Sequence, residues 1–168
     1  RSDKGEDPPG WRIENPEQRA AVAMAGHRLL GQLKIIPGTD DNGQINAVSL
    51  VAWITHVRRL CREYARAEIG DQYIGQLLAK TPAVENEMWP CEAICLAMEE
   101  ISSLEVGKGF LIGVLNSRGI QRRGEGGGAE RQLAAKYRAW ADHLHFDYPY
   151  VGGLLEDIAR SYEREAAS

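Results

Sequence analysis

What this 168-residue chain lacks narrows its function classes first. It has three cysteines, Cys61, Cys91 and Cys95. An odd number without a secretory signal excludes a disulfide framework and predicts reduced thiols in the cytoplasm. Zinc would need a Cys-x2-Cys or His-x3-His partner for Cys91 and Cys95, and none is present, so no metal is expected there. No apolar run approaches the ~18 residues of a membrane helix, and 110–115 is far too short. The net charge of −4 gives no electrostatic reason to expect nucleic acid as a partner. The phosphate-loop pattern, a strand followed by Gly-x-Gly-x-x-Gly, and a nucleophile elbow are all missing. No cofactor is therefore expected.

What is present is helical periodicity. The 43% apolar and 26% charged composition is that of an ordinary globular domain. The chain opens with RSDKGEDPPG rather than with Met. This predicts a cut from a longer polypeptide, with residues 1–14 a disordered linker and 15–168 one all-helical domain. Asn15, Pro16 and Glu17 signal a helix start, and Val22, Ala25, Leu29 and Leu33 are its expected inward face. Ala47, Leu50, Ile54, Val57, Cys61 and Tyr64 mark a second helix over about 46–68. Arg58, Arg59, Arg62 and Arg66 lie opposite and read as a solvated surface, because no aromatics interleave with them. A third helix is expected from about Gly70 to Lys80. Trp89-Pro90 should open a fourth, with proline at its first position and Cys91, Ile94, Cys95, Met98 and Ile101 inward. Residues 104–116 carry three glycines but read as a buried helix, since a lone strand has no partner. Gly109 and Gly113 would then share a face and admit a second helix closely. Helices over about 129–144 and 149–166 complete an all-α bundle of about seven helices in irregular, helical-repeat-like hairpins.

Four constellations could carry chemistry. Asp40, Asn42 and Gly43 match the middle of a calcium loop, but Gly38 and Ser49 fill its first and twelfth positions, where Asp and Glu belong. A turn is the reading. Arg118, Arg122 and Arg123 lead through Gly126, Gly127 and Gly128 into a helix, an arrangement whose free N–H groups suit an anion or nucleotide phosphate. Glu125 and Glu130 oppose that use. Asp142, His143, His145 and Asp147 offer four ligand types in six residues, but they straddle a helix end, where polar residues collect. Arg138 and His143 form an Arg-x4-His pair that resembles the signature of the all-helical HEPN ribonucleases. That resemblance implies RNA cleavage by an Arg and a His meeting across a dimer. Ala139 stands where that family usually has a polar residue.

PGTDDNGQINAVSLVAWITHVRRLC, EIGDQYIGQLLAKTPA, MWPCEAI, GFLIGVLNSRG and GAERQLAAKYRAWAD, with YEREA near the end, span most of residues 38–166. They resemble the C-terminal region of a family of large bacterial proteins. The resemblance brings no activity and no catalytic residue. It implies the terminal helical domain of a longer chain. The leading expectation is a non-enzymatic interaction or scaffolding domain that contacts other regions of its parent chain or a protein partner.

Overall fold

The structure, a computed structural model, describes residues 13–33, 35–83, 88–117 and 127–167. Seven helices form among them: α1 (Pro16–Gln32), α2 (Ala47–Glu63), α3 (Ala67–Leu78), α4 (Glu92–Ile101), α5 (Leu104–Ser117), α6 (Gly128–Leu144) and α7 (Pro149–Ala166). The described residues contain no strand. One antiparallel bridge joins Thr39 to Ile45 between α1 and α2. The fold is all-α, as the periodicity predicts. No described helix is long and apolar enough to cross a membrane. The linker expected over 1–14 falls almost wholly outside the described residues.

Two tight helix pairs build the core. α6 and α7 form a hairpin over a four-residue connection, and α3 packs on α5. The second pair is not a hairpin, because α4 intervenes in the chain. α2 leans on α3 and α4, while α7 also touches α4 and α5. Leu50, Ile54, Ile94, Met98, Val106, Phe110, Val151, Leu155 and Ile158 are fully buried between these layers. Each sits on the apolar stripe of its own helix.

The α3–α5 pair depends on glycine. A Cβ at Gly75 would collide with the Val106 carbonyl oxygen and lie 2.5 Å from the Phe110 nitrogen. One at Gly109 would collide with the Gln72 carbonyl, and one at Gly113 would lie 2.7 Å from the Ala79 Cβ. The shared face of Gly109 and Gly113 therefore does admit a helix, with backbone against backbone.

Three features differ from expectation. The helix expected over 46–68 ends at Glu63. Ala65 turns left-handed (φ 49°), with Ala65 N–H on Arg62 O at 3.2 Å and Arg66 N–H on Cys61 O at 2.7 Å. This is a Schellman ending with alanine where glycine is usual. A new helix starts at Ala67, ahead of the expected Gly70. The left-handed alanine makes a prediction. Ala65→Gly should raise stability by about 0.5–1 kcal/mol, because the steric cost exceeds the added chain entropy of glycine. Thermal unfolding checks it, and an unchanged or lower midpoint would refute the strain.

At the fourth helix, proline is not at the first helical position. The Trp89–Pro90 bond is cis, Cys91 caps, and the helix begins at Glu92. The indole turns into the core, donating from Nε1 to the Thr81 carbonyl at 2.8 Å and stacking on Phe110. The later aromatic–proline pair behaves as expected, with Tyr148 capping and Pro149 in the first turn of α7.

The third difference is α1. Its expected inward face is not buried. Val22 is 54% exposed, Leu33 40%, and Ala25 is exposed too. The Leu29 side chain lies outside the described residues. Helical spacing identified the helix correctly, but among the described residues the core side chains of the helices belong to α2 to α7. The segment behind it is anchored, with Ile36 buried and the Leu33 carbonyl accepting from Lys80 Nζ at 2.7 Å.

Candidate functional site

Arg138 and His143 share α6 but not a face. Five residues at about 100° each set them roughly 140° apart. Arg138 points to α7, where Nη2 donates to Glu163 Oε1 at 2.7 Å and Nη1 lies 3.6 Å from Glu156 Oε1. His143 is exposed. One chain does not bring them together. Arg138 instead borders an open groove of about 710 Å³ between α6 and α7. Asp142, His145, Glu156, Asp157 and Arg160 also line it. Its arginines are largely satisfied within α7, since Arg160 lies 3.4 Å from Glu156 and 3.5 Å from Asp157.

Of the glycine-loop candidates, Arg118, Arg122, Arg123 and Gly126 lie outside the described residues. Gly127 caps α6 with φ 63°, and a Cβ there would sit 2.7 Å from the Ala166 carbonyl at the end of α7. Gly128 opens the helix. Glu130 is buried in the same first turn. A carboxylate already occupies the dipole end where an anion would go.

Asp142, His143, His145 and Asp147 are all exposed around the end of α6. Among the described residues no three His, Cys, Asp or Glu side chains converge to hold a metal. The Asp40 carboxylate works as a turn former, with Oδ1 accepting from Asn42 N–H and Gln44 N–H, both at 2.9 Å. Gly43 supplies the positive φ of 81°. Asn46 then caps α2 through the Ser49 N–H.

The expected arginine face of α2 is not uniform. Arg59 pairs with Glu63 on the surface. Arg58 instead turns inward and grips Asp71 of α3 with two hydrogen bonds, Nε to Oδ1 at 2.8 Å and Nη2 to Oδ2 at 2.9 Å. Reading all four arginines as solvated was wrong for Arg58. The missed signal was Asp71 itself, an acid in register with Ile74 and Leu78 on the apolar face. Ser103 Oγ donates to Asp71 Oδ2 at 2.6 Å, and Tyr150 OH donates to the Ser103 carbonyl at 2.6 Å. Glu99 of α4 accepts the Val151 N–H at 2.8 Å, capping α7 from a distance. Burial pushes the Tyr150 hydroxyl up to about 12. This junction joins α2, α3, α4, α5 and α7, and each polar group in it has a structural partner. Its arrangement is that of a staple.

Cys61, Cys91 and Cys95 form no disulfide with one another. Cys95 is buried, and its thiol donates to the Pro90 carbonyl at 3.4 Å. Desolvation, then the neighbouring Cys91 and Glu99, push that thiol up to about 12. Thiolate is the reactive form, so iodoacetamide near neutral pH should spare Cys95 in the folded chain and modify half-buried Cys61 and Cys91 first. Mass mapping checks this, and equal labelling of all three would refute it.

Several large apolar side chains are exposed among the described residues. Every described side chain of α1 is exposed, including Val22 and Met24 (63%). Ile35 just beyond is exposed as well. Phe146, at the α6–α7 turn, is 93% exposed. Comparison with family models, with curated proteins and with solved structures gives no match to this chain.

Proposed function

We propose that the chain is a non-enzymatic helical interaction domain that uses α1 as its contact surface. We read it as the C-terminal domain of a large bacterial protein, acting in the cytoplasm on its parent chain or on a protein partner. The observation that carries this is the exposure of every described side chain along a 17-residue helix. A helix of that length is marginal in water by itself and gains its stability from packing. Exposed apolar groups on it favour burial against another protein. Thiols that form no disulfide with one another fit a reducing compartment.

The test has two arms. A photo-crosslinking residue at Met24 should capture a protein, and Ala21→Asp, on the same face and exposed, should abolish the capture. The same probe at Asp147 should capture nothing comparable. In the second arm the purified chain is assayed for RNA cleavage beside Arg138→Ala and His143→Ala. No cleavage is expected. Cleavage lost in both variants, or indifferent crosslinking at the two positions, would overturn the reading.

A further inference from the structure

The occupant of α1 is written in its charges, and this step rests on the reading of α1 as a contact surface. Residues 17, 21, 24 and 28 are spaced by four, three and four. That spacing puts them in one stripe along the helix. Glu17, Ala21, Met24 and Arg28 fill it, and all four are exposed. The stripe is acidic at its start, basic at its end and apolar in the middle. Such a pattern is complementary to itself when reversed.

We infer that α1 pairs antiparallel with α1 of a second copy of this chain. In that arrangement Glu17 meets Arg28 of the second copy, and Arg28 meets its Glu17. Met24 packs over Ala21 in both directions. The layers close about a two-fold axis, as an isologous contact must. A parallel pair would stack Glu17 on Glu17 and Arg28 on Arg28, so charge selects the direction. The helix dipoles also oppose favourably. Ala20 and Ala25 flank the stripe, exposed and small, so the two backbones can approach closely. Gly26, on the face opposite the stripe, has no atom of the described residues within 4 Å of where its Cβ would stand.

Sedimentation of the 168-residue chain over a concentration series tests this. The wild type should dimerise. Glu17→Arg and Arg28→Glu each place like charges at both ends of the pair and should weaken it roughly tenfold. The double variant restores both pairs with inverted sign and should recover the dimer. Met24→Asp should be monomeric. Below the concentration at which the wild type dimerises, all four variants should keep its unfolding midpoint, because Glu17, Met24 and Arg28 are exposed in the single chain. A wild type that stays monomeric, single reversals without effect, or a double variant no better than the singles would each overturn the inference. A monomer that still crosslinks another protein through position 24 would overturn only the self-pairing. A monomer whose α1 amides are protected from hydrogen exchange would show α1 packed on its own domain, and would remove the interaction reading as well.

Discussion

Gly75→Ala should destabilise the protein by about 3 kcal/mol or more, lowering its unfolding midpoint on the order of 10 °C. The added methyl has nowhere to go. It would collide with the Val106 carbonyl and press on the Phe110 nitrogen, and both belong to backbone inside α5. No rotamer change relieves such a contact. The helices must separate, and Ile74, Leu78, Val106 and Phe110 would lose packing together. Alanine brings a helix-propensity gain of up to ~1 kcal/mol, too little to offset this. Gly109→Ala should behave alike, since its methyl meets Gln72 backbone from the other side. Gly153 is the control. It lies in α7 with no atom within 4 Å of its Cβ position, so Gly153→Ala should stabilise by about 0.5–1 kcal/mol. Chemical denaturation of the three variants decides the matter. If Gly75→Ala and Gly153→Ala shift stability alike, helix propensity governs both and the close crossing is refuted.

That crossing shows which parts of the fold the sequence displays. Apolar spacing is local, so it located all seven helices, and α7 to the residue. Gly109 and Gly113, four apart in an apolar segment, announced a close helix contact. Their partner stayed hidden, because Gly75 belongs to a helix that is not adjacent in sequence. Ends were less legible. Nothing in the letters around Ala65 marks a left-handed residue, since alanine normally continues a helix. The stop is imposed by α3, which must turn to lay Gly70 and Gly75 against their neighbours. Trp89 similarly looked like a helix start, but its indole N–H found a carbonyl acceptor at Thr81 in the core.

The candidate site was less legible still, for a physical reason. Charged residues near helix ends look alike whether they bind a ligand, brace a fold or face water. Arg138 stood out through its spacing to His143, yet its structural partners are Glu156 and Glu163. Arg58 was grouped with solvated arginines, yet it reaches Asp71 in another helix. Conversely, α1 carries a credible inward stripe, and no periodicity can say whether its partner lies in the same chain. Burial is a property of the assembled molecule, and exposure of a stripe is visible only once the rest of the core has closed.

Arg58→Ala should cost about 3 kcal/mol, the second largest loss expected of a single change. The Arg58 and Asp71 side chains are 23% and 10% exposed, so the pair is mostly removed from water. Deleting the guanidinium leaves a carboxylate that keeps only the Ser103 hydroxyl of its three hydrogen bonds. Water cannot easily replace the other two, because Ser103 is held between Asp71 and Tyr150. Strain should therefore spread to the start of α5 and to α7. Replacing both partners with apolar groups, as in Arg58→Met with Asp71→Leu, removes the stranded charge. That double variant should lose less than Arg58→Ala alone, even though it deletes more polar contacts. A double-mutant cycle measures the coupling, which should exceed ~1.5 kcal/mol for residues in direct bidentate contact. Additivity within about 0.5 kcal/mol would mean that the two side chains act independently. The junction would then be a set of surface contacts, and the joining of α2 to α3 would rest on apolar packing, including the close approach of Gly70 to Cys61.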